Sequence, residues 1–89
     1  MAPEQRIRPD KQFQIGENIR IIRLRHKIRQ SEMVGLLQLK NIPITREAYV
    51  KIERGIRSLR VSELKALKEI LETTYEELLE GPEKELPEQ

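Results

Sequence analysis

Residues 30–55, QSEMVGLLQLKNIPITREAYVKIERG, contain two short helix signals separated by a break. Before the break, Met33, Leu36 and Leu37 are spaced as on one face of a helix. The stretch Lys40 to Pro43 interrupts this spacing, because proline lacks an amide proton and pushes the preceding residue out of helical geometry. The segment therefore predicts two helices joined by a turn.

The second helix signal has clear ends. The Thr45 hydroxyl is suited to accept a hydrogen bond from a free amide of the first turn, so we expect an N-cap there. Tyr49 and Ile52 share one side of the helix that follows, and Gly55 is suited to end it as a left-handed cap. We expect this helix to span residues 45–54, with its opposite side in solvent.

Helical spacing also marks the segments on both sides of residues 30–55. Ile15, Ile19 and Ile22 fall at i, i+4 and i+7, and predict a first helix that ends near His26. Two further helices are expected after Ser62 and after Thr74 because both residues are suited to capping. Their apolar positions are Leu64, Leu67, Ile70, Leu71, Leu78 and Leu79, and Gly81 would end the last helix. With no alternating strand pattern, the sequence predicts a compact all-α fold of five helices.

Charge is divided unevenly along the chain. Residues 1–60 hold 14 Lys and Arg against six Asp and Glu, whereas residues 61–89 hold three against nine. A basic surface attracts polyanions such as nucleic acid, although solvated helix faces also produce charge runs. We interpret residues 1–12 as a flexible basic arm, residues 13–81 as one helical domain and residues 82–89 as an acidic disordered tail.

Composition excludes several classes of protein. The chain has 89 residues and no cysteine, so a two-domain enzyme, a disulfide scaffold and a thiolate zinc site are all excluded. His26 is the single histidine, and no paired catalytic groups accompany it. The longest apolar run, Met33 to Leu37, is too short to cross a membrane. We therefore expect a cytoplasmic protein that is not an enzyme and that uses no cofactor or metal.

The order of these elements suggests DNA binding. Two short helices joined by a turn can place the second in a major groove, while flanking cations contact phosphates. Three stretches, IGENIRIIRLRHKIRQ (15–30), ITREAYVKIERG (44–55) and SELKALKEILETTYEELLEG (62–81), resemble the phage-repressor and Cro type of helix-turn-helix protein, the Xre-like family. The resemblance implies a lambda-repressor-like domain.

The same resemblance assigns roles to individual residues. It pairs Arg23 with Glu53, which would tie the first helix to the recognition helix. It places Arg46, Glu47 and Lys51 at positions that reach base edges, where cations can donate to guanine and a carboxylate can accept from cytosine. An ordinary solvated charge is the alternative for each of the three. The residues assigned to the DNA backbone are Gln30, Thr45, Arg54, Arg57, Ser58 and Arg60.

The sequence also departs from the family pattern. Gln30 and Glu53 are 23 positions apart, which is longer than usual, so the turn between the second and third helices is enlarged. We expect Gln38 to Pro43 to form the extra loop. Arg29 stands where the family has a threonine cap, and Lys27 stands where glycine is common.

Two functions remain open on the sequence alone. The first is a sequence-specific DNA-binding transcriptional regulator, repressor-like, which binds double-stranded DNA as a homodimer. The second is a protein-interaction module, such as an antitoxin or an adaptor, that uses the same fold to bind a protein partner.

Overall fold

Five α-helices make up most of residues 9–82, the part of the chain that the computed structural model describes. They are α1 (Pro9–Arg25), α2 (Gln30–Leu39), α3 (Arg46–Glu53), α4 (Val61–Leu71) and α5 (Tyr75–Glu80). No β-strand occurs within residues 9–82. The prediction of an all-α fold with five helices is confirmed.

The core lies between α1 and the other helices. α1 packs against α3, α4 and α5, while α2 packs against α3 and α4. Most apolar positions that the sequence marked are buried here, but Leu36 is exposed although it was placed on one face with Met33 and Leu37. The largest fully buried side chains are Ile19, Met33, Leu37, Tyr49, Leu67, Leu71 and Leu78.

Four helix N-termini have a side chain that accepts from a backbone amide. Thr45 and Thr74 are the N-caps of α3 and α5, and Glu32 and Glu63 are the third residues of α2 and α4. Thr45 Oγ1 accepts from the amide of Ala48 at 3.1 Å, as expected for an N-cap. At α2 the Glu32 carboxylate accepts from the Arg29 amide at 2.8 Å. This bond is half of a capping box, so the amide of Arg29 has an acceptor at the start of α2.

Four helices end in a residue with left-handed backbone: Lys27, Asn41, Gly55 and Glu72 have φ values between 52° and 76°. After α3, the amide of Gly55 donates to the carbonyl of Ile52, and that of Ile56 to the carbonyl of Lys51. This pair of bonds is a Schellman motif. At Gly55 a side chain is also excluded by space, because a Cβ would lie 2.6 Å from Cα of Phe13.

Element boundaries differ from the sequence prediction at three helices. α4 begins at Val61 with Arg60 as its N-cap, so Ser62 lies inside the helix and is not the N-cap that the sequence predicted. α1 begins at Pro9, so residues 9–12 of the predicted arm are helical. Proline is well suited to the first position of a helix, because the N–H group that it lacks would have no acceptor within the helix at that position. α2 continues to Leu39, so Gln38 lies in the helix and not in the extra loop. Residues 1–8 of the arm and 83–89 of the tail lie outside the described residues.

The enlarged connection between α2 and α3 therefore spans residues 40–45. The side chain of Gln38 donates from Nε2 to the carbonyl of Ile44 at 2.9 Å, which links the end of α2 to the start of α3. Ile44 is itself buried, and Ile42 packs against the core. These contacts fix the connection against the domain.

Candidate nucleic-acid interface

The C-terminus of α3 is anchored by a buried ion pair between Arg23 and Glu53. Arg23 Nε donates to Oε2 of Glu53 at 2.6 Å, and Nη2 donates to Oε1 at 3.0 Å. Only 7% of the Arg23 side chain and 2% of the Glu53 side chain are exposed. The contact that the resemblance implied is present, and its two parallel bonds fix the orientation of α3 on α1.

Two further donors complete the cluster around Glu53. The Tyr49 hydroxyl donates to Oε2, and Gln30 Nε2 donates to Oε1 at 3.0 Å. Arg23 Nη1 also donates to the carbonyl of Ile28 at 2.7 Å. Glu53 therefore accepts four hydrogen bonds, which join α1, α3 and the start of α2, and Arg23 connects this cluster to the loop between α1 and α2.

The cluster changes the acid–base properties of its members. Burial, followed by the adjacent Glu53 carboxylate, raises the pKa of the Tyr49 phenol well above its usual value. The hydrogen bond from Arg23 to Glu53 raises the pKa of the Arg23 guanidinium despite its desolvation. Tyr49 is thus a neutral donor and Arg23 a permanent cation at physiological pH.

The outer face of α3 carries the three residues proposed to read bases. Arg46, Glu47 and Lys51 are all exposed. Glu47 and Lys51 lie on the side of α3 away from the buried Tyr49 and Ile52, whereas Arg46 lies three residues before Tyr49 and is exposed at the first position of the helix. Lys51 Nζ lies 3.9 Å from Oε2 of Glu47, one turn away along the helix. That pair is weak because both side chains are in water, so both charged groups can reorient toward a ligand.

Arg57 has a different environment from the one expected for a phosphate contact. Its Nη1 and Nη2 each donate to the Glu63 carboxylate at 3.0 Å, and Nη1 also donates to the carbonyl of Ser58. Glu63 is buried, and it accepts a further bond from the Arg60 amide at 2.9 Å. Arg57 therefore stabilises the loop between α3 and α4, and both terminal nitrogens of its guanidinium are hydrogen-bonded to Glu63.

The other proposed backbone contacts lie at helix ends. Arg54 is exposed at the C-terminus of α3, and Arg60 is exposed just before α4. Neither side chain forms an ion pair with another residue of 12–82, and the same holds for Arg46. Thr45 is exposed, and its O–H proton remains available because its oxygen is the capping acceptor.

Gln30 and Ser58 are less accessible than these residues. Gln30 is half-buried, and its amide nitrogen donates to Glu53. Ser58 is also half-buried, and its carbonyl accepts from Arg57. The exposed cations around α3 are thus Arg46, Lys51, Arg54 and Arg60.

Sequence reasoning missed the partners that hold this surface in place. Glu63 was assigned no role, although it lies six residues after Arg57 and neutralises it. That spacing crosses a loop and a helix start, so no periodic pattern reveals it. Gly16 was also missed: a Cβ there would lie 2.3 Å from the carbonyl oxygen of Ile52, so only glycine lets α1 approach the end of α3 so closely.

Comparison with known proteins identified no relative of this chain. No family model matches the chain, and neither a curated protein nor a solved structure is significantly similar to it. Within residues 9–82 no group of acidic, histidine or cysteine side chains is arranged to hold a metal ion. No helix in this range has both the length and the apolar character needed to cross a membrane.

Proposed function

We propose that the protein is a sequence-specific, double-stranded DNA-binding regulator of transcription, repressor-like, with α3 as its recognition helix in the major groove. The observation that carries this proposal is the two-sided construction of α3. Tyr49, Ile52 and Glu53 are buried, while Arg46 and Lys51 are exposed. A helix that is held rigidly by its buried residues and that exposes charged residues at its other positions can present side chains to a groove.

Base recognition would come from the outer face of α3. Arg46 lies in the first turn and Lys51 in the last, and both can donate to the O6 and N7 atoms of guanine. Glu47 can accept from the amino group of cytosine. The Glu53 cluster supports this role because it fixes α3 against α1 before DNA is bound, so less ordering is required on binding.

Phosphate contacts would come from the ends of the helices. Arg54 and Arg60 are exposed and have no ion-pair partner among residues 12–82, so they can neutralise phosphates. The Thr45 hydroxyl group can donate a hydrogen bond to a phosphate oxygen. In this proposal the protein is cytoplasmic, acts without a cofactor, is not an enzyme and binds DNA as a Xre-like, lambda-repressor-like domain in a homodimer.

The test is a selection of bound sequences from random double-stranded DNA, followed by affinity measurements on the selected site. Arg46→Ala is expected to reduce affinity for that site by about 1 to 3 kcal/mol, to relax the preference at one base position and to affect random DNA much less. Arg20→Ala is the matched control, because Arg20 is exposed on α1 and pairs with Glu17. Failure of the wild type to bind any DNA at low salt would refute the proposal. If wild type and Arg46→Ala selected identical sequence profiles from random DNA, Arg46 would not be a base-reading residue.

A further inference from the structure

Ile56 is an apolar side chain among charged residues at the end of α3. It follows Gly55, and 60% of it is exposed. A shallow groove beside it is lined by Thr45, Glu47, Ala48, Lys51, Ile56 and Arg57. Glu47 and Lys51 belong to the set of residues proposed to read bases. Ile56 therefore shares a surface with two proposed base readers, although its own side chain can neither donate nor accept a hydrogen bond.

The Schellman motif at the end of α3 fixes the position of Ile56. The Ile56 amide donates to the carbonyl of Lys51 at 2.9 Å, so the two residues are neighbours across the last turn. An apolar contact between these two positions frequently accompanies the motif. Here the partner position holds Lys51, which is itself exposed, so most of the Ile56 side chain stays in water. The backbone thus holds an apolar group in place without burying it.

One group on the base edges of DNA matches an apolar side chain. In the major groove all four bases present hydrogen-bond donors or acceptors, and thymine adds a C5-methyl group. Phosphate oxygens are hydrogen-bond acceptors, so an isoleucine side chain gains nothing from them. Ala48 adds to the apolar lining of the protein groove, and it is half-buried against the core. Ile56 and Ala48 together offer a methyl group an apolar surface beside Glu47 and Lys51.

We infer that Ile56 is a specificity-determining residue that contacts the 5-methyl group of a pyrimidine in the major groove. The inference rests on the proposed function, because it requires α3 to lie in that groove. Thymine carries this methyl group in ordinary DNA, and 5-methylcytosine carries it at the same ring position. Because the Ile56 amide is bonded to the Lys51 carbonyl, the methylated pyrimidine lies close to the base that Lys51 contacts.

The experiment removes a single methyl group from the DNA. The site that the wild type selects is synthesised with deoxyuridine in place of each thymine in turn, which leaves every hydrogen-bonding group of the base unchanged. We expect one of these replacements to weaken binding by the wild type about fourfold, the effect of returning one methyl-sized group to water. The same replacement should leave the affinity of Ile56→Ala unchanged.

A second pair of DNA sites distinguishes the two sources of the methyl group. At the responsive position, cytosine is compared with 5-methylcytosine. A tighter complex with 5-methylcytosine for the wild type, and not for Ile56→Ala, shows that Ile56 contacts the methyl group on either base. A response that is confined to thymine and deoxyuridine shows that the contact requires thymine.

Leu39→Ala is the matched control for Ile56→Ala. Leu39 is 80% exposed on α2, loses the same number of carbon atoms on substitution and does not line the groove beside α3. Its response to deoxyuridine should equal that of the wild type. Ile56→Leu keeps an apolar side chain and should retain most of the methyl effect. The Tm of both Ile56 variants should lie close to that of the wild type, because the side chain is largely in water.

The outcomes separate this inference from the proposed function. A wild type that binds no DNA at low salt refutes the proposed function and the methyl contact with it. A wild type that selects a site but responds to no deoxyuridine overturns the methyl contact alone. An Ile56→Ala variant that responds to deoxyuridine as strongly as the wild type also overturns it, and DNA binding by α3 then stands without Ile56.

Discussion

Glu53→Ala is expected to destabilise the domain severely. The substitution removes the acceptor of four hydrogen bonds and leaves the buried guanidinium of Arg23 without its counter-ion. Breaking a buried pair from one side costs about 3 to 5 kcal/mol. In a domain of this size each kcal/mol lowers Tm by about 4 to 8 °C. Thermal unfolding followed by circular dichroism measures the shift, and urea unfolding gives the free energy directly.

The control and the rescue both follow from the contacts. Glu17→Ala removes a glutamate whose ion pair with Arg20 is exposed, and its Tm should equal that of the wild type. Replacing Arg23 and Glu53 together by methionine should recover part of the loss, and adding Tyr49→Phe should recover more, because the Tyr49 hydroxyl otherwise loses its acceptor. The reasoning is refuted if Glu53→Ala melts with the wild type, or if the combined variants melt as early as Glu53→Ala.

Three further outcomes are expected. Gly16→Ala should lower the free energy of unfolding by about 1 to 3 kcal/mol in urea titrations, since the contact of 2.3 Å is with backbone and outweighs the better helix propensity of alanine; unchanged stability would contradict the close approach. Arg57→Ala should lower the free energy of unfolding by about 1.5 to 3 kcal/mol. Arg54→Ala should leave Tm unchanged and reduce by about one the slope of log affinity for DNA against log salt concentration. If Arg57→Ala instead reduced that slope and left stability unchanged, Arg57 would be a phosphate contact. The pKa of Tyr49 is raised in the folded state, so above about pH 10 the unfolded phenol ionises but the folded one does not. The free energy of unfolding should therefore fall by about 1.4 kcal/mol per pH unit above about pH 10. Tyr49→Phe should flatten this dependence between pH 9 and 11, and an equally steep dependence in that variant would exclude Tyr49 as its source.

Local patterns predicted the helices well, because each helix has apolar residues at helical spacing and most have a clear signal at one end. Thr45 and Gly55 cap α3 as their chemistry requires. The end of α2 was predicted too early because Gln38 and Leu39 precede the proline by several residues and remain compatible with a helix. The left-handed ends at Lys27 and Glu72 were not predicted as such, since neither residue type favours that geometry.

The candidate site was predictable only in part. The exposure of Glu47 and Lys51 follows from helical spacing away from Tyr49 and Ile52. Arg46 is three residues before Tyr49, and its exposure follows from its place at the first position of α3. The bidentate contact between Arg57 and Glu63 does not follow from any spacing, because its geometry depends on how the loop folds back before α4. The bond between Tyr49 and Glu53 spans one turn of α3 and is compatible with helical spacing, whereas the contact of Gln30 with Glu53 depends on how α2 packs against α3.

The separation of the two sides of α3 has a consequence for how such a protein can evolve. Orientation of the helix depends on Glu53 and its donors, whereas the side chains of Arg46 and Lys51 form no hydrogen bond with residues 12–82, and Lys51 has only a weak ion pair with Glu47. Substitutions of those two side chains are therefore expected to cost little folding stability. If α3 reads DNA as proposed, each such substitution would offer a different set of donors or acceptors to the groove, while the orientation of α3 set by Glu53 would stay the same.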